Sequence, residues 1–135
     1  RVEAAEQLQQ GLQHHPGHGQ LALLYARLQV ENGDHAGAVR VMQHALQESP
    51  QNADFHAFLA AIYQRQGDYQ NSIAAYQHAL SQQPGQGIWW MGIGISLEKA
   101  GKGQEALSAY REAIDSSSLS AQLRDYVNGR IKVLE

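Results

Sequence analysis

Cysteine is absent from the 135 residues, which excludes disulfides, thiolate zinc sites and a cysteine nucleophile. Charge is scarce: Asp, Glu, Lys and Arg make up 17% of the chain, against about a quarter in ordinary globular proteins. Ten Lys and Arg are outnumbered by 13 Asp and Glu, the net charge is −3 and the pI is near 6.2. The basic residues are scattered, whereas a surface that tracks phosphates needs them clustered, so nucleic acid is not an expected partner. No apolar run approaches the roughly 20 residues that span a bilayer, so direct membrane insertion by this stretch is not expected either. No secretory leader opens the chain; it begins with Arg1 inside a helical pattern, as a fragment of a longer protein would. What is present is a 43% hydrophobic complement, enough to bury a core, and a polar surface rich in glutamine.

Proline is rare too, and its three occurrences are regular. Pro16, Pro50 and Pro84 are evenly spaced, and Gly33, Gly67 and Gly101 repeat the same interval. A helix that must stop and reverse within a few residues needs a left-handed residue after its C-terminus, which glycine supplies. A proline marks where the following helix cannot continue. Between two of these prolines, residues 51–84 read QNADFHAFLAAIYQRQGDYQNSIAAYQHALSQQP, two amphipathic helical segments around a Gly-Asp break. Leu59, Ala60 and Tyr63 carry one segment, and Ser72, Tyr76 and Ala79 the other. This order of small and large residues, recurring at this interval, resembles the tetratricopeptide repeat, a helix–turn–helix unit of about 34 residues. The resemblance implies an all-α, right-handed superhelical solenoid of antiparallel helix pairs, whose work is to bind other proteins.

Residues 1–16, with Ala4, Leu8 and Leu12 on one stripe, read as the second helix of a truncated repeat. Complete units follow at 17–50, 51–84 and 85–118. The first keeps Tyr25, Ala26, Gly33, Ala38, Met42, Ala45, Leu46 and Pro50; the third keeps Trp90, Ile93, Gly94, Gly101, Ala106, Tyr110, Ala113 and Ile114. Small residues at Ala26, Ala60 and Gly94 let the two helices of a unit approach. Tyr25, Leu59 and Ile93, with Met42, Tyr76 and Tyr110, fill the space between units. The third unit has Ser116-Ser117-Ser118 where a closing proline is due. Residues 119–135 then form a capping helix, N-capped by Ser120, with Leu123, Tyr126, Val127, Ile131 and Leu134 inward and Gln122, Arg124, Asp125, Asn128, Arg130 and Lys132 outward. A terminal helix with one wet face covers the last apolar surface of a solenoid.

Catalysis needs convergent titratable groups in a dry cleft, and no nucleophile–base pair, carboxylate pair or phosphate loop emerges, so no enzyme activity and no cofactor is expected. Gly92-Ile93-Gly94 lies within an apolar helical run, not between a strand and a helix. His14, His15 and His18 cluster around Pro16, where a polar loop between repeats explains them better than a metal site does. His44 and His78 hold equivalent outer-helix positions, and His56 reads as a packed core imidazole. Trp89 and Trp90 read as core aromatics rather than a stacking platform.

In the family that this chain resembles, the first helix of each unit lines a concave surface that receives extended or helical peptides. By register that face comprises Gln20, Leu23, Arg27 and Val30, then Asp54, Ala57, Ala61 and Gln64, then Ile88, Met91, Ile95 and Glu98. Some members clamp a C-terminal carboxylate, but of the matching positions here (Leu23, Arg27, Phe58, Ile88, Gly92) only Arg27 could contribute. The face grows more apolar along Ile88, Met91 and Ile95, a stripe that suits either a partner's hydrophobic peptide or the capping helix folded over it. Gly92, beside this stripe, fits either a partner's close approach or tight packing on a neighbouring helix. The function implied is a non-catalytic interaction scaffold; the alternative is self-assembly, a homodimer formed through the exposed helix at residues 1–16. More loosely, WWMGIGISLE at 89–98 and SLSAQLRDYV at 118–127 resemble the C-terminal repeats of bacterial biogenesis proteins for the mannose-sensitive haemagglutinin (MSHA) pilus, a type IV pilus. That resemblance implies a periplasmic scaffold anchored in the inner membrane; without it a cytoplasmic setting is equally open.

Overall fold

The structure is a computed structural model that describes residues 19–135, with side chains from residue 21. Residues 1–16, the helix proposed for self-assembly, and His14, His15 and His18 therefore lie outside the described residues. Seven helices and no strand make up the described part: α1 (Gly19–Glu31), α2 (His35–Glu48), α3 (Ala53–Gln66), α4 (Tyr69–Gln82), α5 (Gly87–Lys99), α6 (Gly103–Asp115) and α7 (Ala121–Leu134). Each packs on the next in sequence, and α3 also touches α5. Connections this short force antiparallel neighbours, so the chain stacks as a solenoid of helix pairs. None of these helices is long and apolar enough to cross a membrane.

The recurring glycines do what their spacing predicts. Gly33, Gly67 and Gly101 have φ of +84°, +79° and +81°, the left-handed conformation that L side chains resist. Asp34 and Asp68, directly after two of them, cap α2 and α4 by accepting the N–H of Gly37 and Asn71. Asn52 and Ser120 cap α3 and α7 in the same way.

The small and large positions also repeat in space. Ala26 and Ala60 are fully buried and Gly94 is buried; Ala45, Ala79 and Ala113 are fully buried, as are Ala38, Ser72 and Ala106. Met42, Tyr76 and Tyr110 fill the gaps these leave. The core divides into one cluster over α1–α3 and another over α3–α7. At Gly94 an added Cβ would sit 2.6 Å from the Tyr110 ring, so the glycine is there for that tyrosine.

The serine run at 116–118 has a structural role. Ser118 stands one repeat interval after Pro84, and its Oγ accepts the N–H of Gly87, the first residue of α5, at 2.8 Å. The N-cap of α5, Gln86, offers no side-chain bond of its own.

Three expected placements are corrected. Tyr126 is not buried: it stays 46% exposed at the rim of a hollow with Glu98, Tyr110 and Arg130, while fully buried Val127 with Leu123, Ile131 and Leu134 packs on the core. Arg130 turns inward, where its guanidinium pairs with Glu98 of α5 through both carboxylate oxygens. His56 is half-buried at the repeat junction, not in the core. A carbonyl can only accept, so the His56 Nε2–H donates to the Pro50 oxygen at 2.9 Å, and the ring stacks on His78 with centroids 5.0 Å apart.

A candidate partner-binding groove

The first helices of the three pairs, α1, α3 and α5, stand side by side and leave a groove between them. It has a volume of about 520 Å³ and is lined by Leu23 and Arg27 of α1, Asp54, Ala57, Phe58 and Ala61 of α3, Tyr76 of α4, and Ile88 and Trp89 of α5. Helical spacing explains the set: Leu23 and Arg27, like Asp54, Phe58 and Ala61, recur at three and four residues and so share a face. Ile88 is 46% exposed there, an apolar side chain without a packing partner on its outer side. The Arg27 guanidinium lies 5.8 Å from the centre of the Phe58 ring, within cation–π range.

A smaller hollow of about 260 Å³ continues the groove between α1 and α3 and adds Val30, Glu31, Ile62 and Arg65 to Arg27, Phe58 and Ala61. Seven of the twelve residues expected on the concave face thus line these two spaces: Leu23, Arg27, Val30, Asp54, Ala57, Ala61 and Ile88. The side chain of Gln20 lies outside the described residues.

The other four are placed differently. Gln64 is spent on the solenoid itself: its Nε2 donates to the Gly92 carbonyl at 3.0 Å and to Ser96 Oγ at 2.9 Å, and Ser96 donates to Ser72 Oγ at 3.0 Å. Met91 is half-buried against the C-terminal core cluster. Ile95 and Glu98 line a separate hollow with Lys99, Tyr110, Tyr126 and Arg130, against the last helix. The stripe Ile88, Met91, Ile95 is therefore divided: α7 reaches its far end and leaves Ile88 facing the open groove.

Glu98 and Tyr110, at that far end, both depart from ordinary titration. The Arg130 guanidinium holds the Glu98 carboxyl below the usual carboxylate range, with burial opposing and the Tyr110 hydroxyl, which donates to it at 2.9 Å, assisting. Burial, reinforced by the Glu98 carboxylate, pushes the Tyr110 phenol well above its usual value. Both serve the docking of α7. Among the described residues no three His, Cys, Asp or Glu side chains gather where they could hold a metal.

Gly92 is explained by packing. A Cβ there would lie 2.5 Å from the ring of buried Tyr76, so the glycine admits the tyrosine rather than a partner. Phe58, Tyr76 and Trp89 in the larger space, and Glu31, Ile62 and Arg65 in the smaller one, line the groove without being among the twelve residues expected on the concave face. Trp89 and Tyr76 are over nine-tenths buried and show only an edge, which periodicity cannot separate from a core position.

The tetratricopeptide-repeat model matches residues 2–62 and again residues 29–92. The chain belongs to the tetratricopeptide-repeat family. No curated protein matches it. Among solved structures, this tetratricopeptide-repeat chain superposes on MamA with a TM-score of 0.81 at 20% identity, over 88% of its own length and 68% of MamA's. A MamA double mutant, RS-1 ArsTM, gives a TM-score of 0.82 at 14% identity, covering 96% of this chain and 72% of that one. The type III secretion chaperone SycD of Yersinia enterocolitica, solved in complex with a peptide of the translocator YopD, gives 0.78 at 21% identity, covering 85% and 89%. At such identities the likeness is one of fold, and the chain spans about two thirds of the length of several MamA structures.

Proposed function

We propose that this protein is a non-catalytic interaction scaffold whose α1–α3–α5 groove seats a peptide or short helix of a partner protein. The observation that carries this is the groove itself, where exposed Ile88 and half-buried Leu23, Ala57 and Phe58 form an open apolar surface flanked by Asp54 and Arg27. Apolar surface left open in a folded chain is characteristic of a binding site. SycD, of the same fold, is seen with a peptide bound, which supports a peptide as the occupant.

The test is a selection of random peptides displayed on phage against the purified protein, repeated with Ile88→Glu and with Ala61→Arg. Both variants are first shown by circular dichroism to keep their helicity. Peptides that bind the parent and lose both variants place binding in the groove. Peptides indifferent to both, or no enriched peptide at all, overturn the reading.

The segments at 89–98 and 118–127 support a setting in assembly of an MSHA-type type IV pilus, with the domain held in the periplasm by an inner-membrane anchor. Co-purification of pilus assembly proteins with the membrane-anchored parent, lost on Ile88→Glu, is the expected result; pili and complexes unaltered by its removal would reject that setting.

A further inference from the structure

The hollow between α1 and α3 has a charge character that the rest of the groove lacks. Its floor is Val30, Phe58, Ala61 and Ile62, and Arg27 and Arg65 both line it. Neither arginine is ion-paired among the described residues, whereas Arg111 and Arg130 each hold a carboxylate, those of Glu135 and Glu98. The Arg27 guanidinium lies near the Phe58 ring at the edge of the apolar floor, a contact that does not neutralise its charge. Glu31 is the only carboxylate among the lining residues, so two positive groups face one negative in a chain whose net charge is −3. The adjoining part of the groove carries one charge of each sign, Asp54 and the same Arg27, beside Leu23 and Ile88. An acidic ligand group is repelled at Asp54 and attracted at the arginines.

Resting on the groove reading above, we propose that this hollow is its specificity subsite, and that the partner is an extended peptide segment carrying an aliphatic side chain beside an acidic one. The aliphatic group packs on Val30, Phe58, Ala61 and Ile62, and the Asp or Glu carboxylate meets Arg27 and Arg65. Guanidinium–carboxylate bonds are short and directional, and the apolar floor beside the two exposed arginines receives the aliphatic group. Asp54, near Ile88, disfavours a second acidic residue at that end of the peptide.

The probe is an array of end-blocked short peptides built from Leu and Gly with Glu, Gln or Lys at each remaining position, read by fluorescence anisotropy. The parent is expected to bind its best Glu peptides about tenfold more tightly than the Gln counterparts, an advantage that salt erodes. Arg65 is exposed, so Arg65→Glu keeps the fold, and it is expected to shift preference to the Lys series. Four results overturn the proposal: equal binding of Glu and Gln peptides, an Arg65→Glu variant that weakens all series alike, binding only when the blocking group is removed to free the C-terminal carboxylate, or no binding of any series. The first three leave the groove reading standing so long as Ile88→Glu abolishes binding. The groove reading itself falls only if the unbiased phage selection also returns nothing that depends on Ile88 or Ala61.

Discussion

The hydroxyl of Ser118 accepts the backbone N–H of Gly87 at 2.8 Å across a separation of 31 residues. The end of the third repeat thereby caps the helix that begins it. Ser116 supports the arrangement: it donates to the Ala113 carbonyl at 2.6 Å and lies 2.9 Å from the Ser118 hydroxyl. Ser118→Ala removes the one side-chain cap that α5 has, and such caps are worth about 1 kcal/mol. The expected result is a fall of about 3–5 °C in Tm for a domain of this size. Ser118→Pro, which restores the residue found at Pro50 and Pro84, is expected to do no better, since proline cannot accept that bond. A variant as stable as the parent would show that the cap is redundant with water.

The ion pair between Glu98 and Arg130 sets the acid response of the last helix. Arg130 holds the Glu98 carboxyl below its ordinary 4.5. A group shifted in that direction stabilises the fold at every pH above its unfolded value, and the contribution is lost as pH falls through the folded value. Glu98→Gln is therefore expected to be less stable than the parent at neutral pH and to approach it in acid, below the ordinary carboxylate range. Urea midpoints of the two proteins at about pH 7 and about pH 3.5 check this. A gap between them that stays constant with pH would mean that Glu98 acts through packing alone.

Gly92 and Tyr76 test whether a helical glycine can be too tightly placed to replace. In an open helix Gly→Ala gains about 1 kcal/mol, but the new methyl here would sit 2.5 Å from a ring that is itself buried. Overpacking of this kind costs about 1–3 kcal/mol, so Gly92→Ala is expected to destabilise on balance. Gly129→Ala, where nothing lies within 4 Å of the new Cβ, is the control and is expected to stabilise slightly. If both raise Tm, the Tyr76 ring moves more freely than its burial implies.

The fold was legible because its signals are properties of the backbone and of volume. A left-handed turn needs Gly33, Gly67 and Gly101, and close helix pairs need small residues such as Ala60 and Gly94, whatever surrounds them. The site was legible only as a face. Periodicity places Leu23, Arg27, Asp54 and Ile88 toward the concavity, but it is blind to how far a long side chain reaches. Register puts Arg130 on the wet side of α7, but its long side chain reaches Glu98 of α5. Gln64 faces the groove by register, and only the spacing of α3 and α5 shows that its amide bridges them. Tyr126 shows the reverse: an aromatic at a core-like interval that stays half exposed at the rim of the hollow around Glu98 while Val127 takes the core position.

Gln64 and Ile88 therefore make a decisive pair, since both belong to the concave face by register and the structure gives them different work. Gln64→Ala breaks the amide's bonds to the Gly92 carbonyl and Ser96 Oγ. It also leaves buried Ser96 without its donor, which costs about 1–3 kcal/mol. Its expected phenotype is a lower urea midpoint with unchanged affinity for any peptide selected on the parent. Ile88→Glu places a charge on a side chain already half in water, so stability is expected to hold within about 0.5 kcal/mol, while an apolar peptide loses its contact and meets a second carboxylate beside Asp54. Should the roles come out exchanged, with Gln64→Ala folding normally but failing to bind, the inter-helix bridge opens in solution and Gln64 is a contact residue of the groove.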